Sequence, residues 1–281
     1  MIRGIQQFQL RTVIGNQKNA EDTLNRISKA GFEGIELCSY MIHPMPLVIR
    51  ALTRMAGMPM GKSGRLNWKD LMDRSGLKVI SLHSDLGSVL KRSQEVAAEA
   101  HLYHTNYVVI TGMHHFDYLD EEAVHQLARD LNQAGKLMKD QGLSLLYHNH
   151  NCEFRRLGDG RMAYEFLMDE TDPELVNFEF DSYWATDIGV DPAYWMQKLG
   201  HRMKLWHIND RGSKQSGPLA SILKVDSCEL GRGSMNLLRL LQIAEECGVE
   251  AVILESHRNW EGKSPLVSAE ISAEFLRKYV R

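Results

Sequence analysis

The sequence predicts a single (β/α)8 barrel, an α/β fold, on three observations. Its 281 residues match the roughly 250 of one such barrel. Apolar runs of strand length alternate with helix-period segments in eight units, the pattern of a parallel sheet. Several runs also end in residues able to bind a metal or move a proton. In order, strand 1 is expected at Ile5 to Leu10, followed by an amphipathic segment from Ala20 to Ala30 that Gly31 closes. Strand 2 covers Gly34 to Leu37. Gly76 precedes strand 3, Val79 to Ser84, and strand 4 is Tyr107 to Ile110. An amphipathic run from Glu121 to Gln141, closed by Gly142, leads into strand 5, Leu143 to Asn149. Strands 6 and 7 are Val176 to Asp181 and Met203 to His207; Leu237 to Cys247, closed by Gly248, leads into strand 8, Ala251 to Glu255, and a last helix runs from about Pro265 to Tyr279. Glycine after each helical segment suits the left-handed residue that ends a helix.

Two connections are long, and both follow a strand, where such barrels carry functional loops. The insertion after strand 2, IHPMPLVIRALTRMAGMPMGKSGRLNW, is rich in methionine, with Met41, Met45, Met55, Met58 and Met60 in or beside it. It reads as an adaptable segment packing over the barrel or a second subunit, or as a substrate lid. The insertion after strand 7, RGSKQSGPLASILKVDSCELGRGS, ends in Gly231-Arg232-Gly233 before a helix, where a turn is expected and backbone amides could also hold an anion. No linker divides the chain, so residues 1–281 are expected to form one domain.

Composition limits the function classes. With 43% hydrophobic and 25% charged residues, the chain reads as an ordinary globular protein with a large core. A net charge of -3 offers no basic field for a phosphate backbone, so no nucleic acid partner is expected. Cys38, Cys152, Cys228 and Cys247 lack CxxC spacing, which fits a reducing compartment, and cytoplasm is the expected location. No run approaches the roughly 18 apolar residues of a membrane span, and the first ten residues do not read as a signal peptide. A homo-oligomer formed through the methionine-rich insertion is a further expectation.

Asp181, His207 and Glu255 close strands 6, 7 and 8. Each alone could merely terminate its strand. In a parallel barrel the carboxyl ends converge, and carboxylates mixed with imidazole suit a divalent transition ion better than calcium. Strand 5 ends in Tyr147-His148-Asn149-His150-Asn151-Cys152-Glu153-Phe154, where alternation points His148 and His150 to one side. His148, His150 or Glu153 is therefore expected to complete the metal shell. Glu36 and His83 end strands 2 and 3, and His114 and His115 follow strand 4. With His150, Trp184, Arg211 and His257, Glu36, His83 and His114 are candidates for substrate binding, while Trp184 and Trp206 could wall a sugar ring.

The segments YHNHNCEF, FEFDSYW, LWHINDR and ILESHRNW, with GFEGIEL and LGRGSMN, resemble the sugar phosphate isomerase/epimerase family, xylose isomerase-like TIM barrels of the endonuclease IV-related superfamily. The resemblance spans essentially the whole chain. It implies one divalent ion, commonly manganese, held by a glutamate from strand 5, an aspartate from strand 6, a histidine from strand 7 and a glutamate from strand 8. The last three fall on Asp181, His207 and Glu255; the first falls on His148, a departure that removes one carboxylate of a two-glutamate mechanism. Manganese is the expected ion, with zinc, iron, cobalt or magnesium as alternatives. An ion holding a hydroxyl and an adjacent carbonyl stabilises the enediolate left by proton removal. Glu255 is the candidate base, and His148 or His150 the group that returns the proton or protonates a leaving oxygen. The leading expectation is an isomerase or epimerase of a small sugar, keto-sugar or polyol. The alternatives are a lyase or dehydratase of a keto-inositol or 3-keto-glycoside, and a non-catalytic sugar-binding barrel. The family's DNA-repair branch is not expected, because its several-histidine, three-metal site is not evident here.

Overall fold

The computed structural model describes residues 1–44, 63–113, 116–213 and 223–281, together with Val48, Ala51 and Met55. His114, His115, Met45, Met58, Met60 and residues 214–222 lie outside the described residues, so much of both long connections does too. Ten strands are described: β1 (Ile2–Gln6), β2 (Gly34–Cys38), β3 (Lys78–Ser84), β4 (Tyr107–Thr111), β5 (Ser144–His148), β6 (Val176–Asp181), β7 (Met203–Ile208), β8 (Asp210–Ser213), β9 (Val225–Cys228) and β10 (Ala251–Leu254). Eight of them form a closed barrel in the order β1-β10-β7-β6-β5-β4-β3-β2, as the sequence predicts, while β8 and β9 pair by themselves. Strands buried on both faces read as continuous apolar runs, and β10, AVIL, is buried throughout.

The chain falls into two compact units. The first contains residues 1–79, 208–241 and 251–281. In it β1 lies between β10 and β2, with Ile2 opposite Ala251 and Gly4 opposite Gly34. Helices Gln17–Ala30 and Pro265–Tyr279 pack on this sheet through Leu24, Ile27, Ala269, Ala273 and Leu276. The antiparallel pair β8 and β9 runs from Asp210 opposite Cys228 to Ser213 opposite Val225.

The second unit contains residues 80–207 and 242–250, with the parallel strands β3 to β7. Helix Glu121–Lys139 starts at Asp120, whose Oδ1 accepts the Ala123 N–H at 3.2 Å, a typical N-cap. Its buried stripe, Val124, Leu127, Ala128, Leu131, Ala134 and Met138, follows the 3.6-residue period. Helices Leu237–Cys247 and Pro265–Tyr279 and strand β6 occupy their predicted ranges. Gly31, Gly76, Gly142 and Gly248 all take positive φ, as their places after helices require.

Strand 1 is the main correction. Of the run Ile5 to Leu10 only Ile5 and Gln6 lie in the strand: β1 begins at Ile2 and ends at Gln6, and Gln7–Leu10 turns into a 3-10 helix. The Gln6 side chain accepts the Phe8 N–H and caps that turn. Apolar Phe8 and Leu10 alternate with Gln7 and Gln9 as a half-buried strand would, yet all four are buried. The glutamine side chains bond to backbone amides instead: Gln7 Oε1 accepts Cys38 N–H at 2.8 Å and Gln9 Oε1 accepts Ser256 N–H at 3.0 Å.

Gly135 makes this packing testable. Alanine at a helix-interior glycine normally stabilises by about 1 kcal/mol. Here an added Cβ would lie 2.4 Å from the carbonyl oxygen of Leu175 and 2.9 Å from its carbon. Gly135→Ala is expected to be net destabilising by about 1–3 kcal/mol, read as a lower urea midpoint; an unchanged or raised midpoint would show that the segment before β6 moves freely away from this helix.

Candidate metal centre

Strand β6 reads Val176-Asn177-Phe178-Glu179-Phe180-Asp181, and alternate side chains of a strand point to opposite faces. Phe178 meets Tyr164, ring centroids 5.7 Å apart, and lies under the guanidinium of Arg202 at 4.8 Å. That places the two phenylalanines toward the helices, and Glu179 and Asp181 on the opposite side.

Glu179 is completely buried, and its Oε2 receives three imidazoles: His83 Nε2 at 2.8 Å, His148 Nδ1 at 3.1 Å and His207 Nε2 at 3.2 Å. They come from β3, β5 and β7, and His148 sits directly opposite Glu179 in the β5 to β6 register. The rings of His83 and His207 stack at 5.8 Å, and those of His148 and His207 lie 4.6 Å apart. Burial alone would raise the Glu179 pKa, but the charges of His207 and His83 and the hydrogen bonds of His148 and His207 outweigh it and hold the carboxyl well below its ordinary range. A buried carboxylate only accepts hydrogen bonds, so His83 turns its Nε2–H toward it. His83 then meets Thr111 Oγ1 through Nδ1 at 2.9 Å, and His207 turns Nδ1 toward Asp181 Oδ2 at 3.9 Å. Glu179 was absent from the sequence candidates. The available signal was FEFD, a buried strand that alternates two phenylalanines with two acids.

Asp181 caps the helix Ser182–Asp187, its Oδ1 accepting the Trp184 N–H at 3.0 Å. Its backbone is held by Asn149, as described below. His207 lies opposite Asp181 in the β6 to β7 register. Beside it, Trp206 is fully buried and donates Nε1–H to Ser182 Oγ at 3.0 Å, so this tryptophan is core and not a sugar wall. Trp184 is half-buried and stands edge-on to His150, centroids 5.8 Å apart.

Beyond β5 the chain turns through a short 3-10 segment, Cys152–Phe154. His150 is half-buried, with its ring 5.2 Å from that of His148. Glu153 is fully buried: Oε2 accepts the His150 N–H at 3.0 Å and the Cys152 thiol at 3.3 Å, and Oε1 accepts the hydroxyls of Tyr147 at 3.0 Å and Tyr118 at 3.3 Å. Burial and the Glu153 charge push both phenol pKa values well up, so they remain donors. Only glycine fits at 112, where an added Cβ would lie 2.3 Å from Glu153 Oε1 and 2.9 Å from His150 Nδ1.

In the first unit, Glu255 follows β10 directly, is 8% exposed, and has Oε1 2.9 Å from His257 Nε2. The His257 ring packs edge-on against Phe8 at 5.3 Å, and Arg11 donates to the His257 carbonyl at 3.0 Å. Glu36 is buried in β2 opposite Gln6, and Arg211 is half-buried in β8. The Gly231-Arg232-Gly233 turn does hold an anion, but an internal one. Asp210 Oδ2 accepts the amides of Gly231 at 3.0 Å and Gly233 at 2.9 Å, while Oδ1 accepts those of Arg211 at 2.8 Å and Met235 at 3.2 Å.

The donor chemistry fits a divalent transition ion. His83, His148, Glu179 and His207 offer buried ligand atoms all within 4.8 Å of one another, and so do His148, Asp181 and His207. Glu179 Oε1 is buried without a hydrogen-bond partner, an unusual cost unless an unseen partner offsets it.

The model of the xylose isomerase-like TIM barrel family matches residues 24–279. The inosose dehydratase of Clostridium botulinum (strain Alaska E43 / Type E3) is 25% identical over 215 residues, covering 70% of this chain and 65% of that protein. Less than two thirds of that relative's length is thus spanned. Among solved structures, a sugar phosphate isomerase/epimerase from Parabacteroides distasonis ATCC 8503 superposes with a TM-score of 0.77 at 23% identity, over 98% of this chain and 93% of its own. The IOLI protein with a bound zinc atom gives 0.68 at 15%, over 99% of both chains. These two likenesses show the fold. Among the described residues, no helix is long and apolar enough to cross a membrane.

Removing Glu179 takes the buried negative charge away from the three imidazoles around it. Glu179→Ala is expected to cost about 3–5 kcal/mol and Glu179→Gln, which keeps one acceptor oxygen, about 1.5–3 kcal/mol. Urea unfolding measures both, and equal midpoints for all three proteins would mean that the histidines do not depend on this carboxylate.

Proposed function

The chain belongs to the xylose isomerase-like TIM barrel family, and from that premise we propose that it removes the proton next to a carbonyl of a keto-polyol or keto-sugar and then expels a β-oxygen, as a dehydratase or lyase. The observation that carries this reading is the His148 imidazole at the end of β5, 3.1 Å from Glu179 Oε2, where the resemblance implies a glutamate. A pair made of one carboxylate base and one imidazole acid is asymmetric. It suits abstraction by one group and protonation of a departing oxygen by another better than exchange between two equivalent carboxylates. The dehydratase relative supports this order of outcomes; sequence reasoning alone places isomerisation first. Isomerisation or epimerisation stays the second reading, favoured by the solved isomerase/epimerase neighbour.

His148, Asp181, His207 and Glu255 are the proposed ligands of one divalent ion, with manganese or zinc the first candidates. When bound, such an ion supplies positive charge that polarises the substrate's carbonyl and hydroxyl oxygens. Glu255 takes the carbon-bound proton. His257, at 2.9 Å, orients the Glu255 carboxylate. His150, half-buried beside Trp184, gives a proton to the leaving oxygen, or to the opposite face of the carbon in the second reading. Glu179 keeps the His148 and His207 rings in one orientation. Glu153 is saturated by four donors, and its proposed part is to fix the backbone of His150. Glu36, Arg211 and His114 remain proposed substrate contacts.

Elemental analysis is expected to find about one divalent metal per chain, lost in Asp181→Ala; full occupancy in that variant would displace the site. Glu255→Gln should keep its circular dichroism spectrum and lose about 10²–10⁴-fold in turnover. In deuterated water, a keto-inositol that loses one water supports the dehydratase. Deuterium gained without loss of water supports the isomerase or epimerase. Ligand binding that survives Glu255→Gln, with neither outcome, identifies a binding protein.

A further inference from the structure

Where β5 stops, a side chain continues its ladder. The last β5 to β6 pair is His148 opposite Glu179, and the backbone then leaves the sheet. Asn149 is completely buried, and its amide reaches the one residue of β6 still to be held: Oδ1 accepts the Asp181 N–H at 3.0 Å, and Nδ2 donates to the Asp181 carbonyl at 3.1 Å. Nδ2 also lies 3.3 Å from the carbonyl oxygen of His150. A primary amide is the side chain that presents donor and acceptor in one plane, as a peptide group does. The same device recurs in the first unit. Gln9, also buried, accepts the N–H of Ser256, the residue after Glu255, at 3.0 Å and reaches the Pro265 carbonyl at 3.4 Å.

We infer that Asn149 and Gln9 are positioning residues, amide splints that set the backbone at Asp181, where β5 has already left the sheet, and at Ser256, just after Glu255. The inference rests on the proposed role of these two carboxylates as metal ligands. Its physical basis is tolerance: a ligand must be held within about 0.5 Å and 10–20°, and these amides add fixed points to backbone that β7 already holds on one side, Asp181 in register with His207 and Glu255 N–H bonded to the Ile208 carbonyl at 3.2 Å. Asn149 supplies such points to both polar groups of Asp181 at once. An aspartate at 149 could accept from the amide but would face the carbonyl without a donor, and an alanine would remove both bonds.

The test compares wild type, Asn149→Ala, Asn149→Asp, Gln9→Ala, Asp181→Ala and Phe180→Leu. Manganese chloride titration gives the Kd, amide-resolved hydrogen exchange of the metal-free protein gives the state of the Asp181 N–H, and urea unfolding gives global stability. Phe180→Leu, a truncation of a fully buried residue on the same strand, should lower the urea midpoint and leave the Kd unchanged. Asn149→Ala is expected to weaken manganese binding about 10- to 100-fold and to speed exchange at Asp181 at least about tenfold. Asn149→Asp, which keeps the acceptor and serves if the alanine variant does not fold, should retain slow exchange. Gln9→Ala should weaken manganese in the same range. Unchanged Kd in Asn149→Ala and Gln9→Ala, with manganese lost in Asp181→Ala, overturns the inference and leaves the proposed centre standing. Full manganese binding by Asp181→Ala overturns the centre, and with it the positioning role.

Discussion

One oxygen atom, Oε2 of Glu179, is the point on which the second unit is built. Burying a carboxylate costs several kcal/mol unless it is paired, and this one is paired with imidazoles from β3, β5 and β7 at 2.8 to 3.2 Å. The arrangement fixes more than charge. With His83 and His207 each holding Nε2 near this oxygen, their other ring nitrogens have defined directions, His83 toward Thr111 and His207 toward Asp181. Strands β3, β5 and β7 are thereby tied to β6 at one buried atom.

The buried acids outside this cluster are treated differently. Asp210 is wrapped by four backbone amides, and Glu153 takes two donors on each oxygen. Such carboxylates serve as scaffold, spending their acceptor capacity on the loops they organise. Glu179 has three imidazoles crowded on one oxygen and none on the other. Uneven satisfaction of this kind belongs where a protein expects something to be added.

Most of the barrel was legible because its strands are apolar runs and its helices carry a 3.6-residue stripe, signals that survive in any core of this type. Strand β6 and helices Leu237–Cys247 and Pro265–Tyr279 stand at their predicted bounds for that reason. Strand 1 was extended too far because Phe8 and Leu10 mimic strand alternation, while the backbone amides that let Gln7 and Gln9 be buried belong to Cys38 and Ser256, 31 and 247 positions away. Asp181, His207 and Glu255 were visible as polar ends of apolar runs. Glu179 was not, since one acid inside a hydrophobic strand points to nothing until its three partners, from elements up to 96 residues distant, are brought around it. The role of Asn149 was hidden for a similar reason: an asparagine past a strand reads as a turn residue.

The wrapped Asp210 carries a last consequence. Glycines at a helix entrance are often the berth of a phosphate, but here the berth has a permanent tenant joined to the same chain. A tethered carboxylate acts at an effective concentration on the order of millimolar or above, and Gly233 leaves its Cα no room for a second occupant, an added Cβ already falling 2.2 Å from Asp210 Oδ1. A phosphoryl group arriving from solution would have to evict it while losing the four amides one by one. The turn is thus an internal joint, a carboxylate rivet that ties the start of β8 to the entrance of the helix Leu237–Cys247.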